Sequence, residues 1–275
     1  SPAAMPAIPG AGQNAIALNQ KVSPSQLPTL RIDAPKPFAW TAIGKTSGNR
    51  SFQTVTIGDE GYRAFVIGSV AGNDVLAVDL VDQLAQHLHG GKTILGGFHT
   101  TLIRTLNPDG EALDRILNEK GQYINHGFPK DNGVADGNQP AEVSFLLERI
   151  ETLKPQRLIH VRTIESESGV IAASSACLPT AQVIADWLGF RVIHLPERAV
   201  SGSLERYLAS SERCEVMTFA IPSTAKKNEL WDRYGDALQN LLMGEDQVSR
   251  ELARQKSPPS SANKQDSNSD RSGRH

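Results

Sequence analysis

The sequence predicts an α/β fold with a mixed, largely parallel sheet flanked by helices on both faces. Three observations carry that expectation. Short apolar runs of strand composition alternate along the chain with amphipathic stretches of helical period. Ala64–Val70 is apolar apart from Gly68 and Ser69, and Leu158, Ile159 and Val161 supply a second short apolar run, as in strands buried on both faces. A chain of 275 residues that is 39% hydrophobic and 21% charged has material for one substantial core.

The first strand candidate is the alternating Phe52-Gln53-Thr54-Val55-Thr56-Ile57. Gly58 separates it from Ala64–Val70, and the two are expected to form a hairpin or adjacent strands. From Asp74 to His89, Leu76, Leu80, Leu84 and Leu88 fall on one helical stripe with Ala77 and Val81, and Gly90-Gly91 ends it. A strand is predicted over Thr101–Leu106, a helix over Ala141–Leu153 and a strand over Arg157–Val161. Then follow a helix over Thr180–Leu188, strands over Arg191–Leu195 and Glu215–Ile221, and a helix over Lys227–Met243. Residues 1–36 are rich in Pro, Ala, Gln and Ser and read as an extended leader. Residues 37–250 form the folded domain, and 251–275, which lack apolar anchors, read as a disordered tail.

A net charge of −2 gives no electrostatic reason to expect nucleic acid or an anionic membrane as the main partner. No apolar run approaches the ~20 residues of a membrane span. Cys177 and Cys214 are the two cysteines, so a thiolate zinc site is not expected. One disulfide or two free thiols remain open. The start Ser1-Pro2-Ala3-Ala4 is compatible with signal-peptide removal or a cloning boundary.

The run Phe65-Val66-Ile67-Gly68-Ser69-Val70-Ala71-Gly72-Asn73-Asp74, an apolar strand, a glycine turn and a helix start, resembles the metal loop of the zinc carboxypeptidase family. Where the family has His-Gly-Asn-Glu, this chain has Ala71-Gly72-Asn73-Asp74, and the methyl of Ala71 offers zinc no ligand. Four more segments resemble the same family. Trp40–Arg50 resembles its first strand and turn, and Asn107-Pro108-Asp109-Gly110 its Asn-Pro-Asp-Gly turn. The stretch from Asn118 to Pro129 resembles the segment whose Asn-Arg pair grips a terminal carboxylate, with Asn125 kept and His126 in place of Arg. The transition-state Arg falls on Ile116, with Arg115 one position away. Lys154–Thr163 resembles the strand that delivers the third zinc ligand. That ligand falls on Arg162, or on His160 if the strand slides by two residues, which preserves side-chain facing. In Met217–Pro222, Ala220 takes the place of the general-base Glu, while Glu215 lies upstream on the other side of the strand.

The resemblance implies a zinc carboxypeptidase-like sandwich, and its substitutions imply a catalytically inactive member with no catalytic residues, no bound zinc and no other cofactor. Asn125, His126, Arg162 and Asp74 are the candidate ligand-binding residues, for a peptide or peptidoglycan fragment. Asp74 also suits the N-cap of the following helix. Two alternatives stay open: an active metallocarboxypeptidase or murein-peptide amidase with a relocated zinc set drawn from His99, His126 and His160, and a scaffold without ligand. His87 and His89 are expected to meet the negative end of a helix dipole, and His99 and His194 to be surface or strand-end residues. Glu165 and Glu167 are placed to pair with Arg162, with a bound cation or with water alone, and Tyr207 to line a pocket or simply pack. A secreted or periplasmic, bacterial-type protein is expected.

Overall fold

A computed structural model describes residues 38–91, 97–130 and 138–243, all within one unit spanning Pro37–His275. The expected leader and tail lie outside the described residues.

Eight strands form one sheet: β1 (Thr41–Ile43), β2 (Phe52–Ile57), β3 (Tyr62–Gly68), β4 (Phe98–Ile103), β5 (Arg157–Ile164), β6 (Val170–Ala173), β7 (Arg191–His194) and β8 (Glu215–Pro222). Their order is β1-β2-β4-β3-β5-β8-β6-β7. The central run β4-β3-β5-β8 is parallel, β1-β2-β4 is antiparallel, and β6 runs antiparallel to β8 and parallel to β7. The mixed, largely parallel sheet is therefore as expected.

Alternation along β3 divides the core. Ala64 and Val66 face one layer, where α1 (Val75–Gly90), α4 (Leu178–Leu188) and α6 (Leu230–Met243) pack through Leu80, Leu84, Ile184 and Leu238. Phe65 and Ile67 face the other, against Val143 and Leu146 of α3 (Ala141–Leu153) and Leu204 and Leu208 of α5 (Leu204–Ser211). Each such side chain removed from water contributes about 1.5–3 kcal/mol. A short helix, α2 (Pro108–Ala112), follows β4.

One expectation is overturned. β2 and β3 are neither a hairpin nor neighbours, because β4 lies between them, antiparallel to β2 and parallel to β3. Gly58 and Gly61 both have positive φ, and a Cβ on either would collide with the backbone at Gly97 or Phe98. These glycines open the slot through which β4 enters. Two elements lie outside the sequence expectations: β6, a four-residue strand, and α5, whose start is capped by Ser203 Oγ accepting from Arg206 N. The last helix begins with a 3-10 turn, Lys227–Glu229, before α6.

Candidate functional site

A cleft of about 580 Å³ opens beyond the C-terminal ends of β3, β5 and β8, where parallel α/β sheets leave room for ligands. A second cavity of about 320 Å³ adjoins it, and Asn125, His126, Arg162 and Ile164 line both. A broader surface depression around Trp40 and Arg104, about 670 Å³, shares no lining residue with either. Its central charge is consumed, since Arg104 holds both Asp82 and Glu111.

The loop after β3 is built around Asp74. Its Oδ1 accepts from Ala77 N at 3.4 Å, capping α1, while Oδ2 accepts from Ser69 Oγ at 3.0 Å and from Thr163 N at 2.8 Å. Ser69 Oγ in turn accepts from Ala71 N. The buried carboxylate thus ties the start of α1 to the end of β5, with both oxygens engaged. Behind the loop, Asn107 accepts from Gly110 N and donates to the carbonyls of Val70 and Ile116. Asp109 accepts from Thr46 Oγ1, Gly48 N and Arg50, so the Asn107–Gly110 turn clamps the β1–β2 connection as well as turning the chain.

Beneath the cleft lies a buried polar cluster that joins β5, α5, β8 and the 3-10 turn Ile124–His126. Glu205 Oε1 accepts from His160 Nδ1 at 2.7 Å and from Thr218 Oγ1 at 3.2 Å, and Oε2 accepts from Asn125 Nδ2 at 3.2 Å. Asn125 Oδ1 accepts from Leu204 N at 2.9 Å. Burial alone would raise the pKa of Glu205, but the hydrogen bond and charge of His160, helped by backbone donors and Asn125, hold it well below the usual carboxylate range. His160 is fully buried on the cleft side of the sheet, and its Nε2 has no hydrogen-bond partner among the described residues.

All four predicted ligand residues, Asp74, Asn125, His126 and Arg162, line the cleft. Their side chains are used differently. Asp74 and Asn125 are committed to the frame. His126 is exposed and stacks on Tyr123 with ring centroids 5.3 Å apart. Arg162 is exposed, donates through Nε to Thr163 O at 3.3 Å, and has no carboxylate partner among the described residues. Glu165 lines the cleft without pairing with Arg162. Arg115 is turned to Asn118 O and Glu119, leaving Ile116 on the cleft wall.

Sequence reasoning singled out His160 but did not see Glu205 as its partner. The signal available was a Glu two residues past a Ser cap, which says nothing of what lies opposite. The remaining candidates are structural. His99 bonds Asp59 O near the start of β4, at the opposite end of the sheet from His126 and His160. His87 packs on Trp231 and His89 on Phe38, and His194 meets Ser175. Glu215, at the start of β8, holds Arg157 and Tyr62. Tyr207 packs against Phe128 and Arg213.

Zinc requires imidazole, thiolate or carboxylate donors converging at about 2.0–2.3 Å. The loop and strand positions offer a methyl at Ala71, a carboxylate with both oxygens already bonded at Asp74, and a guanidinium at Arg162. Ala220, paired with Arg162 across β5 and β8, supplies no base. This set does not fit the ion. Among the described residues, no group of three or more His, Cys, Asp or Glu is placed to hold a metal.

No family model and no curated protein matches the chain. Solved structures do. A metallo-carboxypeptidase from Burkholderia cenocepacia is similar at TM-score 0.63 and 13% identity, covering 78% of this chain and 65% of its own. The fold is that of the zinc metallocarboxypeptidases. Within that carboxypeptidase-like fold, murein-tripeptide amidase MpaA from Escherichia coli O157 is similar at TM-score 0.57 and 15% identity, covering 76% of this chain and 93% of its own. The carboxypeptidase A of Helicoverpa armigera matches at TM-score 0.60 and 12% identity, covering 75% and 69%.

Proposed function

We propose that this chain is a zinc-free, catalytically inactive carboxypeptidase-fold protein that binds a peptide or cell-wall peptide fragment by its free carboxylate. One observation carries the reading: Arg162 stands without a carboxylate partner among the described residues, where the polar cleft meets the smaller cavity. A guanidinium offers two parallel donors to two carboxylate oxygens, and beside it His126 is free to add a third. Asp74 and Asn125 support the site by fixing its walls. Apolar side chains of β6 and β7, among them Val170 and Ile193, line the adjoining cavity and would receive the side chain of the terminal residue. The amidase neighbour's murein substrate makes a cell-wall peptide a natural ligand class, and a secreted or periplasmic location would bring the two together.

The test is fluorescence anisotropy with a labelled acyl-dipeptide ending in a free carboxylate and its C-terminal amide. The acid is expected to bind and the amide not. Arg162→Ala should weaken binding roughly 10–100-fold, the value of a charged hydrogen-bonded contact. Metal analysis after incubation with zinc and dialysis should give far less than one zinc per chain. Stoichiometric zinc with hydrolysis of the peptide would overturn the proposal, as would equal binding of acid and amide.

A further inference from the structure

The smaller cavity has an unbalanced charge. Arg162 and Arg198 both line it, and among the described residues neither guanidinium has a carboxylate partner. Glu205 is the carboxylate on its wall, and it is already committed to His160, Thr218 and Asn125. Two like charges at one concavity of about 320 Å³ repel each other, and that repulsion is relieved by a ligand that brings anions to both.

The segment carrying Arg198, between β7 and α5, is held in place rather than loose. Ala199 N donates to Pro196 O, Ser203 N to Val200 O, and Arg206 reaches Pro196 O from α5. The floor between the two arginines is apolar, formed by Val170, Ala172, Ile193 and Leu195. Such a floor suits the methylenes of a ligand whose two charged ends are separated by an aliphatic stem.

We propose that this cavity recognises a terminal residue with an acidic side chain on an aliphatic stem, Arg162 taking the main-chain carboxylate and Arg198 the side-chain one. This specificity rests on the carboxylate-binding reading above. Arg198 is exposed, and no hydrogen bond or ion pair ties it to the fold among the described residues, so its replacement is expected to leave the fold intact.

The experiment is isothermal titration of the full chain with acyl-dipeptides ending in Glu, Leu or Lys. Binding of Glu is expected to exceed that of Leu by about tenfold, the lower end of what a hydrogen bond to a charged group is worth. Arg198→Ala should abolish that preference, bringing Glu-ended binding level with Leu-ended binding, and Arg198→Glu should turn it toward Lys. A Leu-ended peptide that binds as well as the Glu-ended one, or a preference that survives Arg198→Ala, overturns the acidic specificity alone. Absence of binding by both Glu- and Leu-ended peptides overturns the carboxylate-binding reading beneath it.

Discussion

Replacing Glu205 by Met keeps the bulk of the side chain and removes the acceptor on which His160, Thr218 and Asn125 converge. The three losses are unequal. Thr218 can rotate its hydroxyl, and Asn125 borders the cleft, where water can replace the carboxylate. His160 is fully buried and its other nitrogen has no partner among the described residues, so it bears most of the penalty. Breaking a buried charged pair from one side costs about 3–5 kcal/mol, a large fraction of the roughly 5–15 kcal/mol that holds a domain folded. With an urea m-value of about 1–3 kcal/mol/M, the midpoint should fall by at least ~1 M. Adding His160→Leu removes the stranded imidazole, so the double variant should lose about 1–3 kcal/mol less than the sum of the singles.

The pH dependence supplies a second reading of the same contact. The folded carboxyl of Glu205 is held below its ordinary value of 4.5. Its contribution is therefore fully present above about pH 4.5 and is lost as pH falls from there toward the lowered folded value. The stability gap between the parent and Glu205→Met should be widest near neutrality and narrow in acid. A gap that is constant or grows on acidification, or singles that add without coupling, would refute the account.

Two further outcomes follow from the other buried polar groups. Burial pushes the Cys177 thiol up to about 11 and that of Cys214 up to about 12, and both are free; a disulfide reagent at pH 8 should react slowly with the native chain and quickly with both thiols in urea. Arg157 joins Glu215 to the carbonyls of Leu241 and Leu242 at the end of α6, so Glu215→Ala should cost about 1–3 kcal/mol in urea unfolding, and Glu215→Gln, which keeps an acceptor, markedly less.

Much of the scaffold was legible because local chemistry specifies it. The leucine stripe from Leu76 to Leu88 can bury itself only as a helix, and Asp74 sits where a cap belongs. The apolar runs at β3 and β5 fit the middle of a sheet. What escaped was pairing. Nothing in Gly58–Gly61 announces that β4 will pass between β2 and β3, because that depends on a close approach to Gly97 and Phe98 some forty residues away. β6, at four residues, is too short for a period to declare itself, and α5, at eight, is barely two turns long.

The site divides in the same way. The sequence by itself determined which chemical groups are present: a methyl at Ala71 beside Gly72, a guanidinium at Arg162 placed by the apolar pattern of its strand, and a methyl at Ala220 two residues before Pro222. The tertiary structure alone decided what those groups meet. It spends both oxygens of Asp74 on the backbone frame, sets Glu205 against His160, and brings Arg198 to the cavity that Arg162 lines. Residue identity is fixed by the chain, but hydrogen bonds and charge balance depend on distances between segments far apart in it, and those exist only once the sheet has assembled.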